Sequence, residues 1–187
     1  MRKINKGEYG YIHKKRKTES AKTISMFAIS LAIFVMGYIS TKTKSNMLTI
    51  VAVLGCLPAS KCAVSMIMFM LAKGCSENVK NKVESSVGKL DGFYDLFFTS
   101  EKKNYAISHM VVTKNSIIAF SEMEKIDEND FSIHMKSLLN KEKISDITVK
   151  LFKDVDKYCN RLDELNQSEM DQSKRNDIVS MLYQVSL

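Results

Sequence analysis

The sequence predicts a two-span transmembrane helical hairpin followed by a small cytoplasmic α+β domain, ordered α-β-β-β-α-β-α-α with a mostly antiparallel sheet. Three observations carry this. Residues 23–41 hold no charged side chain and are closed at the two ends by Lys22 and Lys42. A second apolar stretch, Met47 to Ala72, follows after a short polar link. Beyond residue 75 the apolar residues recur at the spacings of amphipathic helices and half-buried strands. The chain divides into a basic cytoplasmic segment (1–22), the hairpin (23–72, spans 23–41 and 47–72) and the domain (76–187).

The first span holds 19 residues, which at a helical rise of 1.5 Å make roughly 28 Å, close to the ~30 Å hydrocarbon core. Its only breaks are Ser25, Ser30 and Gly37, with no polar stripe at a 3.6-residue period. The run is too long for a cleaved leader and no small-x-small site follows it. The second span contains Pro58 and Lys61 near its middle. A kinked helix through Pro58 keeps the backbone satisfied, whereas a re-entrant loop would leave each half too short to cross. Charge favours two spans. Eight basic residues precede the first, Lys42 and Lys44 lie in the link, and Lys73, Lys80, Lys82 and Lys89 follow the second. The positive-inside rule places both termini in the cytoplasm of a multi-pass protein of the cell membrane.

Within the second span Gly55, Ala59 and Ala63 recur every four residues, a small-residue face expected to meet Ala28 and Ala32 of the first. Lys61 lies about 160° from the centre of that face. It is expected to snorkel towards the interface, the competing reading being contact with a further membrane partner or a second copy. The run Lys14, Lys15, Arg16, Lys17 just before the first span serves as a topology signal and faces anionic lipid.

The net charge of +7 is unevenly spread. Residues 1–75 carry +10 and residues 76–187 carry −3, so the basic character belongs to the anchor. An acidic domain is a poor nucleic-acid binder. The four cysteines show no metal or disulfide spacing, and no cofactor is implied.

In the domain, Val79, Val83, Val87 and Leu90 make one face of a helix over 76–90. Asp91-Gly92 turns the chain into an aromatic strand, 93–99, followed by strands at 105–113 and 116–121 joined by short polar turns. Asp127 is expected to cap a helix carrying Phe131, Met135, Leu138 and Leu139. Residues 147–152 alternate as a fourth strand, Asp154 caps a helix with Val155, Tyr158, Cys159, Leu162 and Leu165 inward, and 176–185 form a last helix. Alternation places His109 on one strand face with Tyr105, Ile107 and Val111.

The order α-β-β-β-α-β resembles the core topology of restriction-endonuclease-like folds. That resemblance implies a membrane-tethered, metal-dependent hydrolase or nuclease drawing on Asp95, His109, Glu122 and Glu124. The pattern departs from the family's: the second strand has no acid, and Lys125 directly follows Glu124 where the family spaces the two by one residue. No P-loop, G-x-S-x-G, H-E-x-x-H or C-x-x-C is present. The leading expectation is a membrane-anchored binding, assembly or regulatory module, its partners the lipid bilayer and a membrane or cytoplasmic protein or a second copy.

Overall fold

The computed structural model describes residues 4–43, 46–100, 103–113, 115–166 and 175–187. These form two compact units: the described residues of Met1–Ile12 with Ala72–Leu187, and His13–Leu71.

The second unit is a helical hairpin of α1 (Tyr11–Thr41), from His13 onward, and α2 (Met47–Leu71). Helix α1 starts a dozen residues before the apolar run, through the basic segment. Lys, Arg and Glu are good helix formers, and Glu19 pairs with Lys15 at i−4 (3.5 Å) and Lys22 at i+3 (3.0 Å). Helix α2 runs unbroken through Pro58. Both are long and apolar enough to cross a membrane.

The hairpin packs through small residues. Within the apolar run of α1 the buried positions are Thr23, Ser30 and Gly37, and on α2 they include Ala52 and Ala59. A Cβ added to Gly55 would fall 2.8 Å from Ser30 Oγ, and one added to Gly37 would fall 2.7 Å from Leu48 Cβ. Of the residues expected at the seam, Gly55 lies against Ser30 and Ala59 is buried, whereas Ala28 and Ala32 are exposed. Thr23, Ser30 and Gly37 recur every seven residues, as do Ala52 and Ala59, the period of a left-handed helix pair, and this stripe passes beside Ala28 and Ala32.

The α+β unit is built on a four-stranded sheet of β1 (Gly92–Thr99), β2 (Asn104–Val112), β3 (Ser116–Phe120) and β4 (Thr148–Phe152), in that spatial order. The first two pairs are antiparallel and β3–β4 is parallel. The parallel pair is joined through α4 (Glu128–Lys141), as a parallel connection requires a crossover. One face of the sheet packs with α4 and α6 (Arg175–Val185) through Phe131, Met135, Leu139, Ile178, Met181 and Leu182. The other packs with α3 (Glu77–Val87) and α5 (Val155–Asn166) through Val79, Val83, Tyr158 and Leu162.

Helix ends follow local chemistry. Ser76 caps α3, accepting from Val79 N, and Asp127 caps α4, accepting from the amides of Asn129 and Asp130. Asp154 accepts from Asp156 N and Lys157 N at the start of α5. Gly88 ends α3 at φ 54, where a Cβ would fall 2.8 Å from the Asn166 amide; that amide donates to Ser86 O and accepts from Lys89 N.

The outer edge of β1 is covered from both ends of the chain. Tyr94 N donates to Gly7 O (2.8 Å) and Leu187 N to Phe97 O (2.8 Å). Lys6 Nζ donates to the carbonyls of Tyr183 and Ser186, at the C-terminal end of α6 where a cation is favoured.

Candidate functional site

The place where chemistry-bearing residues gather is a shared kink in β1 and β2. Phe93 packs with the α4/α6 core and Tyr94 with the α3/α5 core, as alternation demands. Leu96 and Phe98 then return to the α4/α6 side, so the alternation slips by one residue at Asp95. Strand β2 slips opposite it: Tyr105, Ile107, Met110 and Val112 share the α4/α6 side, while Val111 faces α3/α5. The ladder pairs Tyr94 with His109 and Leu96 with Ile107, leaving Asp95 and Ser108 out. Asp95 has φ 54, a left-handed conformation that Asp tolerates better than most side chains.

The slip corrects the alternation reading of His109. It lies on the face opposite Tyr105 and Ile107, with its Nδ1 2.6 Å from Tyr158 Oη and its ring 4.4 Å from that of Tyr94. Its Nε2 is buried without a hydrogen-bond partner and lies over Gly92, where an added Cβ would fall 2.0 Å away. Burial pushes the imidazole down to about 3, so it is neutral at physiological pH.

The kink turns the Asp95 carboxylate onto the backbone. Oδ1 accepts from Cys75 N (2.7 Å) and Oδ2 from Ile12 N (3.4 Å), with a further backbone bond from Gly10. Thus one side chain, 1% exposed, ties β1 to residues 10–12 at the start of α1 and to the segment leading into α3. Glu122 performs the matching task one residue along. Its Oε2 accepts from Ser76 N (2.8 Å) and from Ser108 Oγ (3.3 Å), and its own amide donates to that hydroxyl (3.3 Å). Ser121 Oγ donates to Ala106 O (2.6 Å), so side chains continue the β2–β3 connection where the ladder stops.

Burial raises the Asp95 carboxyl above its ordinary value, its backbone bonds pull the other way, and the charge of Glu122 adds to the rise. Burial likewise pushes the Cys75 thiol up to about 12, helped by Glu122 and Asp95, and Tyr94 to about 12. A thiol held there stays protonated and is a poor nucleophile. Chemically, the cluster is suited to fastening backbone segments.

Of the sequence-predicted residues, Asp95 and Glu122 are brought together around residues 75–76, His109 is engaged with Tyr158, and Glu124 is exposed in the turn before α4. Among the described residues no three His, Cys, Asp or Glu side chains are placed to hold a metal ion. Sequence reasoning missed Ser108 and Cys75 as members of the cluster. In the hairpin, Lys61 is exposed on α2, away from buried Ala59. In the basic run Lys15 pairs with Glu19, Arg16 Nε donates to Phe69 O (3.1 Å), and Lys17 is exposed.

Compared with protein-family models, curated proteins and solved structures, the chain matches none.

Proposed function

We propose that the chain is an integral protein of the cell membrane with two spans and both termini in the cytoplasm, and that its α+β unit is a binding, assembly or regulatory module for a protein partner or a second copy. One observation carries the membrane part. Only 17% and 11% of the most apolar windows of α1 and α2 are buried, although their mean hydropathy is 1.9. Side chains such as Ile24, Leu31, Ile39, Val53 and Leu57 stand outward, and an exposed apolar surface of that extent calls for lipid. The basic residues before α1 and after α2 support the orientation.

Support for a module rather than an enzyme comes from the site. Asp95 and Glu122 are occupied by backbone amides, and His109 is held neutral against Tyr158. The test is affinity purification of the full chain from membranes in mild detergent, with mass spectrometry and mass measurement of the complex. A stoichiometric companion or a defined homo-oligomer is expected. A lone monomer contradicts the assembly reading.

A further inference from the structure

The register of the hairpin sets the relative depth of its residues. Ser30 lies against Gly55, Gly37 against Leu48, and Arg16 bonds to Phe69; the numbers in each pair total 85. Charge fixes where hydrocarbon begins on α1. Lys14, Lys15, Arg16, Lys17, Glu19 and Lys22 all precede the apolar run, and Glu19, 6% exposed, is held between Lys15 and Lys22. A buried carboxylate flanked by two lysines that reach solvent belongs at or above the interface. Lys22 is level with Ala63 and Ile24 with Lys61, by the same register. The last nine residues of α2, Ala63 to Leu71, are therefore level with Lys14 to Lys22.

We infer that this end of α2 does not lie in the hydrocarbon core but, paired with the basic part of α1, forms an element seated in and just above the headgroup layer of an acidic leaflet. The inference rests on the membrane reading. Val64, Ile67, Met70 and Leu71 are 51–63% exposed beside a strongly cationic helix. Apolar side chains interleaved with lysines are the composition that binds an anionic lipid surface. Lys61 then sits two residues, about 3 Å, inside the boundary, where its stem reaches the phosphates, and not at the bilayer centre.

The test uses the full chain with its native cysteines replaced by serine, single spin labels at Leu54, Val64 or Ile67, and nanodiscs of phosphatidylcholine with or without phosphatidylglycerol. Collision with oxygen against a water-soluble nickel complex reads depth. The expected result is a deep label at Leu54 and shallow, nickel-accessible labels at Val64 and Ile67. Phosphatidylglycerol should lower nickel access at Ile67 severalfold, an effect lost in the Lys14→Gln/Lys17→Gln variant. Labels at Val64 and Ile67 as deep as Leu54, or indifferent to lipid charge, overturn the inference while leaving the spans intact. A nickel-accessible label at Leu54 would instead overturn the membrane reading itself.

Discussion

The hairpin and the α+β unit are built on opposite plans. In the α+β unit the large side chains are inside: Phe97, Phe98, Phe131, Met135 and Tyr158 are all below 2% exposure. In the hairpin the buried positions are largely small, among them Ser30, Gly37, Ala52 and Ala59, and the large ones, Leu31, Ile39 and Leu57, point out. A water-solvated chain buries large apolar groups because that burial drives folding. A lipid-solvated helix pair gains little from burying leucine and packs instead through close backbone approach. The two units thus pack differently within one sequence, large side chains inward in one and outward in the other.

That contrast can be broken by mutation, and the largest effect falls in the α+β core. Phe131→Ala removes a ring packed 5.5 Å from Tyr105 and 6.3 Å from Phe98 and should cost about 3–5 kcal/mol. Chemical unfolding of the full chain in detergent, followed by tyrosine emission since the chain lacks tryptophan, measures it. Next is Asp95→Ala, which strands the amides of Cys75 and Ile12 and places alanine at φ 54. We expect about 2–4 kcal/mol, with Asp95→Asn milder because asparagine tolerates that φ and keeps one acceptor. Equal costs for the two would contradict the part given to the carboxylate in holding the amides of Cys75 and Ile12.

Gly92→Ala drives a methyl into His109 Nε2 and should cost about 1–3 kcal/mol in the same assay. The pH response follows from the same histidine. Unfolded, it takes up a proton as pH falls through about 6.5; folded, burial delays this to about 3. Stability is thus complete above pH 6.5 and declines below it, by up to about 1.4 kcal/mol per pH unit. His134, also lowered by burial, acts in the same direction. Asp95, raised by burial, acts in the other, so the histidine's share is read as the change in slope between the wild type and a His109 variant. His109→Gln should flatten it. Smallest is Leu57→Ala, on a side chain 68% exposed, which should stay within about 0.5 kcal/mol. A loss like that of Phe131→Ala would mean that Leu57 is covered by protein.

Much of this plan was legible in the sequence because it is written locally. The element order, the caps at Asp127 and Asp154, the Asp91-Gly92 turn and the apolar runs each depend on a few neighbouring residues. What escaped depends on two distant segments at once. The slip at Asp95 is matched by one at Ser108, so the pairing register is the same on either side and each strand alone reads as simple alternation. An acid between Tyr94 and Leu96 was the one available signal. The packed face of α1 escaped for a similar reason: two stripes of small residues lie side by side, and only the partner helix selects Ser30 and Gly37 over Ala28 and Ala32.

On the proposed reading, lipid covers the outside of the hairpin while protein covers the apolar residues of the α+β unit. The direct measurement is labelling of the full chain in native membranes with a photoactivated carbene reagent dissolved in the bilayer, followed by peptide mass spectrometry. Label is expected to concentrate in residues 24–41 and 47–61 and to be absent from the four strands. Label in the strands, or none in the hairpin, would contradict it.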